Sequence, residues 1–160
     1  KGQRKETWQA LEKLYNDKRV RAIGVANYLV EFLDELESYA SITPMLNQVE
    51  FTPWLFQGEL LQYCQNRNIQ LQSYSPLTRG LKLGDPRLIA LAEKYDRTPA
   101  QIVLRWNLEH GISTIPKSVS KKRLKENFGS LTFKLRADDV AFMDTFNENF
   151  RICDNPMEMF

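Results

Sequence analysis

Hydrophobic positions along the chain follow two alternating patterns, a stripe at helical spacing and a short continuous run. Trp8, Leu11, Leu14 and Tyr15 recur at helical spacing, which predicts a helix over 6–18. Short apolar runs predict strands that are buried on both faces. The same two patterns predict strands at 20–25, 45–49, 69–74 and 112–115, and further helices at 30–39, 57–64, 86–95, 99–109, 121–128 and 138–146.

Strands and helices that alternate with short connections indicate parallel strands joined by right-handed crossovers. The clearest helix start lies at Thr98, a hydroxyl N-cap followed by Pro99 in the first turn and Gln101 at the capping-box position. Gly111 ends that helix. No low-complexity linker interrupts the series, so we expect a single α/β domain over residues 1–160.

The composition is that of one globular domain, since 160 residues are enough for a sizeable core. A formal net charge of +2 is too small to indicate a nucleic-acid partner, so a local cluster of cations favours a small anion. Cys64 and Cys153 form no paired metal or redox motif, and we expect reduced thiols, a cytoplasmic protein and no bound metal. No apolar run reaches membrane-spanning length and no signal-peptide pattern follows Lys1, so we expect no membrane partner.

Polar residues stand at or just beyond the carboxyl end of every predicted strand. They are Asn27, Asn47-Gln48, Tyr74-Ser75 and Lys117-Ser118. Because parallel α/β folds bind ligands at this edge, the pattern favours one shared ligand site. Independent solvated loop starts are the alternative interpretation.

The last of these clusters belongs to the segment 115–127, which reads IPKSVSKKRLKEN. The pattern predicts a strand end, a turn rich in hydroxyls and cations, and a short helix that carries Arg123 in its first turns. Free backbone N–H groups, a helix dipole and several cations then meet at one point. That combination predicts a site for a multiply charged anion such as a phosphate.

Four motifs together resemble the aldo-keto reductase family in their order and spacing, over about Thr7 to Arg151. The motifs are Gly24-Val25-Ala26-Asn27, Asn47-Gln48-Val49-Glu50, Tyr74-Ser75-Pro76-Leu77 and Ile115-Pro116-Lys117-Ser118-Val119. The resemblance implies a (β/α)₈ TIM barrel that transfers hydride between NADPH and a carbonyl or alcohol. Since the chain matches only the second half of the pattern, we expect the C-terminal half of such a barrel, with about four strands.

At the nicotinamide end, the resemblance assigns roles to three residues. Tyr74 resembles the residue whose ring stacks under the nicotinamide, although core packing would suit the same ring. Asn27 and Gln48 resemble the side chains that bind the carboxamide, because each amide offers both a donor and an acceptor. Their alternative is a polar strand end satisfied by backbone groups.

At the other end of the cofactor, the resemblance implies NADP rather than NAD. Ser75 and Leu77, with the following turn Thr78-Arg79-Gly80, resemble the loop that crosses the pyrophosphate. Glu126 and Asn127 match residues that reach the adenine. Guanidinium and hydroxyl donors suit a 2′-phosphate, and the implied cluster is Lys117, Ser118, Ser120 and Arg123. A solvated helix face is the interpretation for the remaining cations, Lys121, Lys122 and Lys125.

The resemblance assigns no catalytic residue to this chain, because the family's catalytic Asp, Tyr, Lys and His belong to the first half of the barrel. Hydride transfer to a carbonyl needs a positioned acid for the developing alkoxide. His110 falls in a helix-to-strand connection, where a structural role fits. Trp54 fits either a substrate pocket or core packing, and the tail residues Met157, Met159 and Phe160 are compatible with an apolar pocket wall.

Two functions remain open at this point. The first is the cofactor-binding half of an NADP-dependent aldo-keto reductase, an oxidoreductase that reduces aldehydes or ketones by hydride transfer. In that case the chain is a fragment, a missing half supplies the acid, and the substrate is a small carbonyl or alcohol. The alternative is a catalytically silent module that binds a dinucleotide or mediates association. The open strand edges at 20–25 and 112–115 predict pairing with the missing barrel half or self-association.

Ala26 departs from the family pattern, which commonly has serine at this position. The absent hydroxyl removes one hydrogen bond to the carboxamide, on the order of 0.5–1.5 kcal/mol. Ala26→Ser is therefore expected to lower the dissociation constant for NADPH by about two- to tenfold, measured by fluorescence titration. Unchanged or weaker affinity would count against the assigned position of the nicotinamide.

Overall fold

Four short strands alternate with helices in the computed structural model, which describes residues 2–159. The strands are β1 (Gly24–Ala26), β2 (Leu46–Glu50), β3 (Gln70–Tyr74) and β4 (Ser113–Thr114). The helices are α1 (Gly2–Asn16), α2 (Val30–Glu37), α3 (Gly58–Asn66), α4 (Pro86–Tyr95), α5 (Pro99–Glu109), α6 (Lys121–Phe128), α7 (Ala137–Asp144) and α8 (Pro156–Met159). The strand order is β1-β2-β3-β4, so the predicted α/β fold with about four parallel strands is confirmed.

The described residues divide into two compact units. The first unit holds residues 2–49, 57–71 and 154–159, and the second holds 50–56 and 72–153. Each unit contains one parallel strand pair, β1 with β2 in the first and β3 with β4 in the second. The expectation of one domain over 1–160 stays a prediction, because compactness within each unit does not test it.

In the first unit, Gly24 pairs with Leu46 across β1 and β2. A side chain at Gly24 would place its Cβ 2.6 Å from the Leu46 carbonyl oxygen, so only glycine allows this approach. Trp8 packs under the strands and its indole N–H donates to the Ile42 carbonyl at 3.2 Å. The predicted strand at 20–25 was wrong at its start, because the residues before Ile23 lie exposed and outside the ladder.

In the second unit, Gln72 pairs with Ser113 across β3 and β4. The Ser73 hydroxyl donates to the Phe51 carbonyl at 2.6 Å, which ties β3 to the segment that follows β2. Strand β4 is shorter than the predicted 112–115. The Ile115 N–H makes the last hydrogen bond of this end, to the Ser73 carbonyl at 3.1 Å, and the chain leaves β3 beyond it.

Helix boundaries follow the local sequence signals closely where those signals are strong. Helices α4 and α6 have the predicted bounds, and α5 begins with the predicted capping box between Thr98 and Gln101. The pattern gave no sign of α8 or of the two short 3₁₀ turns at Thr78–Gly80 and Gly129–Thr132. Elements of three or four residues are too short to show a helical stripe.

Trp54 lies in the core of the second unit and is fully buried, so the packing interpretation holds for its ring. Its indole N–H donates to the Asp85 carboxylate at 3.0 Å. The same carboxylate caps α4 by accepting the Arg87 backbone N–H at 2.9 Å, and it accepts the Arg87 guanidinium at 2.6 Å. The hydrogen bond from Arg87 lowers the pKa of Asp85 well below its ordinary value of 3.8.

Asp85→Asn is expected to lower the free energy of unfolding by about 1–3 kcal/mol at pH 7, because asparagine can keep the cap but loses the charge pairing with Arg87 and the acceptor for the buried Trp54 N–H. A lowered folded-state pKa stabilises the fold above the ordinary value and loses this effect as pH falls through the folded-state value. The difference between wild type and variant should therefore shrink below pH 3.8. Urea denaturation at several pH values measures this difference in the free energy of unfolding.

Asp17→Asn, in the exposed pair with Lys13, is the control and should change the free energy of unfolding by less than about 0.5 kcal/mol. A difference at Asp85 that does not depend on pH would contradict the charge pairing of Asp85 with Arg87.

Candidate functional site

Two predicted ligand residues of the first unit lie side by side. Asn27 follows β1 in a left-handed conformation, with φ at +61°, and its backbone N–H donates to the Gln48 carbonyl at 2.9 Å. Asparagine tolerates this backbone better than most residues, which suits it to a turn at a strand end. Both side chains are half-buried. The structure brings Asn27 and Gln48 together, while their role toward a carboxamide stays a prediction.

Asn47 holds the turn that carries Asn27. Its side chain is fully buried, its amide donates to the Tyr28 carbonyl at 2.7 Å, and its side-chain oxygen accepts the Tyr28 N–H at 3.4 Å. The Asn47 side chain thus supplies the acceptor for the Tyr28 N–H and the donor for the Tyr28 carbonyl, which the backbone of the turn at the end of β1 does not supply. The polar pair Asn47-Gln48 was visible in the sequence, but only the structure separates a positioning residue from a ligand candidate.

Tyr74 ends β3 in the second unit. Burial above all, with smaller effects from Cys153 and Glu50, raises the pKa of Tyr74 to about 12. A hydrogen bond from the Glu50 main chain fixes the hydroxyl. The ring is therefore neutral at physiological pH and is held at its far edge, which suits a flat stacking surface.

The loop after Tyr74 has an unusual backbone. Ser75, Thr78, Arg79 and Gly80 all have positive φ, between +48° and +89°. For Thr78, a β-branched residue, this conformation is costly, and the surrounding fold has to impose it. Thr78 is fully buried and its hydroxyl accepts the Lys82 N–H at 3.1 Å, which closes the loop on itself.

A cavity of about 480 Å³ lies in the second unit beside this loop. It brings together six of the predicted site residues, Leu77, Lys117, Ser118, Arg123, Glu126 and Asn127. Arg79 also lines it, so its walls carry three cations and one carboxylate, while Leu83 and Ala100 add apolar surface. Cations together with an apolar wall suit a ligand that carries both a phosphate and a flat ring.

The cations of this cavity are available to a ligand. Lys117 and Arg123 are exposed, and their side chains form no ion pair or hydrogen bond with any residue between 2 and 159. The Asn127 side chain has no hydrogen-bond partner in the same part of the chain, although the residue is only 9% exposed. Donors left without internal partners on a concave surface match an anion that has several acceptor oxygens.

Ser120 serves the helix start. Its hydroxyl accepts the Arg123 backbone N–H at 3.4 Å as the N-cap of α6, and the Ser118 hydroxyl accepts the Ser120 N–H at 3.2 Å. Gln101 anchors the same helix from α5 through a 2.9 Å bond to the Glu126 carbonyl. The structure therefore places Ser120 in a cap and outside the cavity walls, and its role toward a phosphate stays a prediction. The remaining cations of α6 are exposed and line no part of this cavity: Lys121, Lys122 and Lys125.

His110 has the structural role that its position indicated. Its Nε2 lies 2.8 Å from a carboxylate oxygen of Asp144, and the Trp106 indole N–H donates to the same oxygen at 2.8 Å. Among residues 2–159, no group of three or more His, Cys, Asp and Glu side chains is arranged to hold a metal. Within the same range, no helix combines the length and hydropathy needed to cross a membrane. In the tail, Met157 is exposed, and the Met159 side chain and Phe160 lie outside the described residues.

Sequence reasoning named Arg79 within the turn Thr78-Arg79-Gly80 that resembles the pyrophosphate loop, and the structure places Arg79 on the cavity wall. It gave Glu50 no role. Glu50 is 1% exposed at the end of β2. A lone acidic residue between the apolar Val49 and Phe51 was the available signal, because a buried charge is rarely kept without a partner.

Comparison with known proteins gives consistent matches over nearly the whole chain. A model described as "Aldo/keto reductase family" matches residues 3–148. The uncharacterized oxidoreductase YtbE of Bacillus subtilis (strain 168) is 48% identical over 155 residues, which are 97% of this chain and 55% of that protein. Glyoxal reductase of the same organism is 47% identical over 155 residues, 97% of this chain and 56% of that protein. The chain thus spans about half the length of the curated relatives that it matches.

Solved structures agree with the sequence matches. A mutant of Gox0644 crystallised in complex with NADPH superposes with a TM-score of 0.90 at 39% identity, over 96% of this chain and 57% of that one. The shared fold therefore covers the described residues almost completely and about half of the larger molecule. The predicted family resemblance and the predicted half of a barrel fold are both confirmed.

Asn47→Ala is expected to destabilise the first unit by about 1–3 kcal/mol, because it leaves the Tyr28 carbonyl and N–H without their partner. Urea denaturation followed by tryptophan fluorescence measures the loss. Asn16→Ala, at an exposed position, is the matched control and should change stability by less than about 0.5 kcal/mol. Equal effects of the two substitutions would show that Asn47 does not hold this turn.

Proposed function

Because the chain belongs to the aldo/keto reductase family, we propose that it is the cofactor-binding half of an NADP-dependent oxidoreductase that reduces aldehydes or ketones by hydride transfer. The observation that supports this most directly is the pair of unpartnered cations, Lys117 and Arg123, on one cavity of about 480 Å³. A structural neighbour crystallised with NADPH and a relative named glyoxal reductase support the same class of cofactor and reaction.

The donor set of the cavity fits the 2′-phosphate end of the cofactor. Lys117 offers a point charge and Arg123 a planar fork of donors, and both suit phosphate oxygens. The Ser118 hydroxyl lines the same wall, although it already accepts one internal N–H bond. Asn127 and Glu126 would address the adenine, since amide and carboxylate groups can pair with the edge of a base. NAD lacks the 2′-phosphate and would leave both cations unpaired.

At the reactive end, the bound nicotinamide would supply the hydride, and the residues of this chain would orient it. Tyr74 offers a neutral ring whose hydroxyl is fixed by the Glu50 main chain. Asn27 and Gln48 offer amide donors and acceptors to the carboxamide. We assign no catalytic acid to this chain. In this proposal, the proton for the developing alkoxide comes from an acid in a further part of the protein, which corresponds to the half of the relatives that this chain does not cover.

The proposed substrate is a small carbonyl compound, and the proposed setting is the cytoplasm. A catalytically silent dinucleotide-binding or association module is the second candidate, favoured by the cavity itself, whose cations and apolar wall suit binding of a dinucleotide without any catalytic step. The first candidate and a dinucleotide-binding module predict the same NADPH binding, whereas a module that only mediates association predicts none. The two candidates differ in turnover, because only the first predicts NADPH-dependent reduction of aldehydes when the acid-bearing half is present.

Arg123→Met and Lys117→Met are each expected to weaken NADPH binding by about tenfold or more, because each removes a charge-assisted contact with the 2′-phosphate. The dissociation constant for NADH should change by less than about twofold. Fluorescence titrations with the two cofactors measure both values.

The matched control is Lys122→Met, which removes an exposed cation from the same helix outside the cavity walls. It should leave both dissociation constants within about twofold of wild type, apart from a weak long-range effect that salt screens. Equal losses for NADPH and NADH, or a loss at Lys122 as large as at Arg123, would contradict the 2′-phosphate assignment.

A further inference from the structure

A buried carboxylate of the second unit holds the chain near its C-terminal end. Glu50 is 1% exposed, and its two side-chain oxygens accept two successive backbone N–H groups, Ile152 at 2.8 Å and Cys153 at 3.1 Å. A buried carboxylate is costly unless its oxygens are hydrogen-bonded, so this pairing accounts for its presence. Two acceptors meet two donors, a match that a carboxylate provides and an amide does not.

The same residue also contacts the ring at the proposed nicotinamide end. The Glu50 main chain hydrogen-bonds the Tyr74 hydroxyl, while its side chain holds Ile152 and Cys153. Beside it, the Ser75 hydroxyl lies 4.0 Å from the Cys153 sulfur. The segment 151–153 is therefore fixed next to Tyr74 from two directions.

The chain before this segment is held by a different group. The Trp54 carbonyl accepts the N–H groups of Glu148 at 3.2 Å and Phe150 at 2.9 Å. Glu148 also pairs with Lys82, and the Lys82 ammonium lies 4.4 Å from the centre of the Phe150 ring. Glu50 holds the next residues, Ile152 and Cys153, where the chain passes Tyr74. Loss of its carboxylate would therefore release 151–153, while the Trp54 carbonyl still holds 148–150.

We propose that Glu50 is a positioning residue for substrate: it fixes 151–153 beside Tyr74 and so sets the wall against which a carbonyl substrate packs. The inference rests on the proposed function, because it takes Tyr74 as the ring beneath the nicotinamide. The cavity with Lys117 and Arg123 has no wall residue in 151–153, and Glu50 itself does not line it. Arg79, an exposed residue of that cavity wall, donates to the Cys153 sulfur at 3.8 Å, so release of 151–153 removes one weak contact of the wall but leaves Lys117 and Arg123 in place. Glu50 therefore acts mainly on the fit of the substrate.

Glu50→Gln tests this in the full-length gene product. Glutamine has the same shape but replaces one acceptor oxygen with a donor, so one of the two tail N–H groups loses its partner. Hydrogen exchange of the peptide that spans 151–153 should become about tenfold faster at one amide. KM for glyoxal should rise by about tenfold, with kcat and the dissociation constant for NADPH within about twofold of wild type. Glu93→Gln, an exposed position on α4, is the matched control and should change none of these values.

The outcomes separate this inference from the proposed function. Faster exchange together with a KM effect and intact NADPH binding supports the positioning role. Faster exchange with an unchanged KM overturns this inference alone. Unchanged exchange overturns it as well, and so does a loss of NADPH affinity as large as the rise in KM. Absence of NADPH binding in the wild type overturns the proposed function and this inference together. The melting temperature of Glu50→Gln is measured first, and a value within a few degrees of wild type excludes global unfolding as the cause. If Glu50→Gln melts lower, Glu50→Asp is the second variant. It keeps both carboxylate oxygens and should restore KM at least in part.

Discussion

Parallel strands end at the same edge of a sheet, and the rest of this molecule depends on that constraint. In the first unit, Asn27 follows the end of β1 and lies next to Gln48, which the structure places in the middle of β2 and not at its end. In the second, the chain beyond β3 and β4 supplies Leu77, Lys117 and Ser118 to one cavity. Side chains at these ends need no distortion of the sheet to meet a ligand, because the loops that follow leave that edge accessible.

The charged side chains of the second unit fall into two groups. Several that support the fold form ion pairs, as in Asp85 with Arg87, Glu109 with Arg105 and Asp139 with Lys94. Two of the three cations of the cavity, Lys117 and Arg123, have no such partner among residues 2–159. Two cations without an ion-pair partner on one concave surface support the proposed binding of an anion there.

Much of this arrangement follows from the sequence, because its strongest signals are local. The bounds of α4 and α6, the capping box at Thr98 and the polar strand ends all depend on neighbouring residues. The shortness of β1 and β4, the strained backbone at Thr78 and the link from Glu50 to Cys153 depend on contacts between distant segments. The last of these joins residues about a hundred positions apart, a separation that no periodic pattern reports.

We propose that the cavity of the second unit recognises the 2′-phosphate of NADP. The adenosine end of the cofactor carries that phosphate, so its binding can be measured separately from the nicotinamide end. Isothermal titration with adenosine 2′,5′-bisphosphate and with adenosine 5′-monophosphate compares two ligands that differ only in that group. The account predicts that the bisphosphate binds on the order of tenfold more tightly or better, with the advantage falling as salt is added. Equal affinities for the two ligands would contradict it.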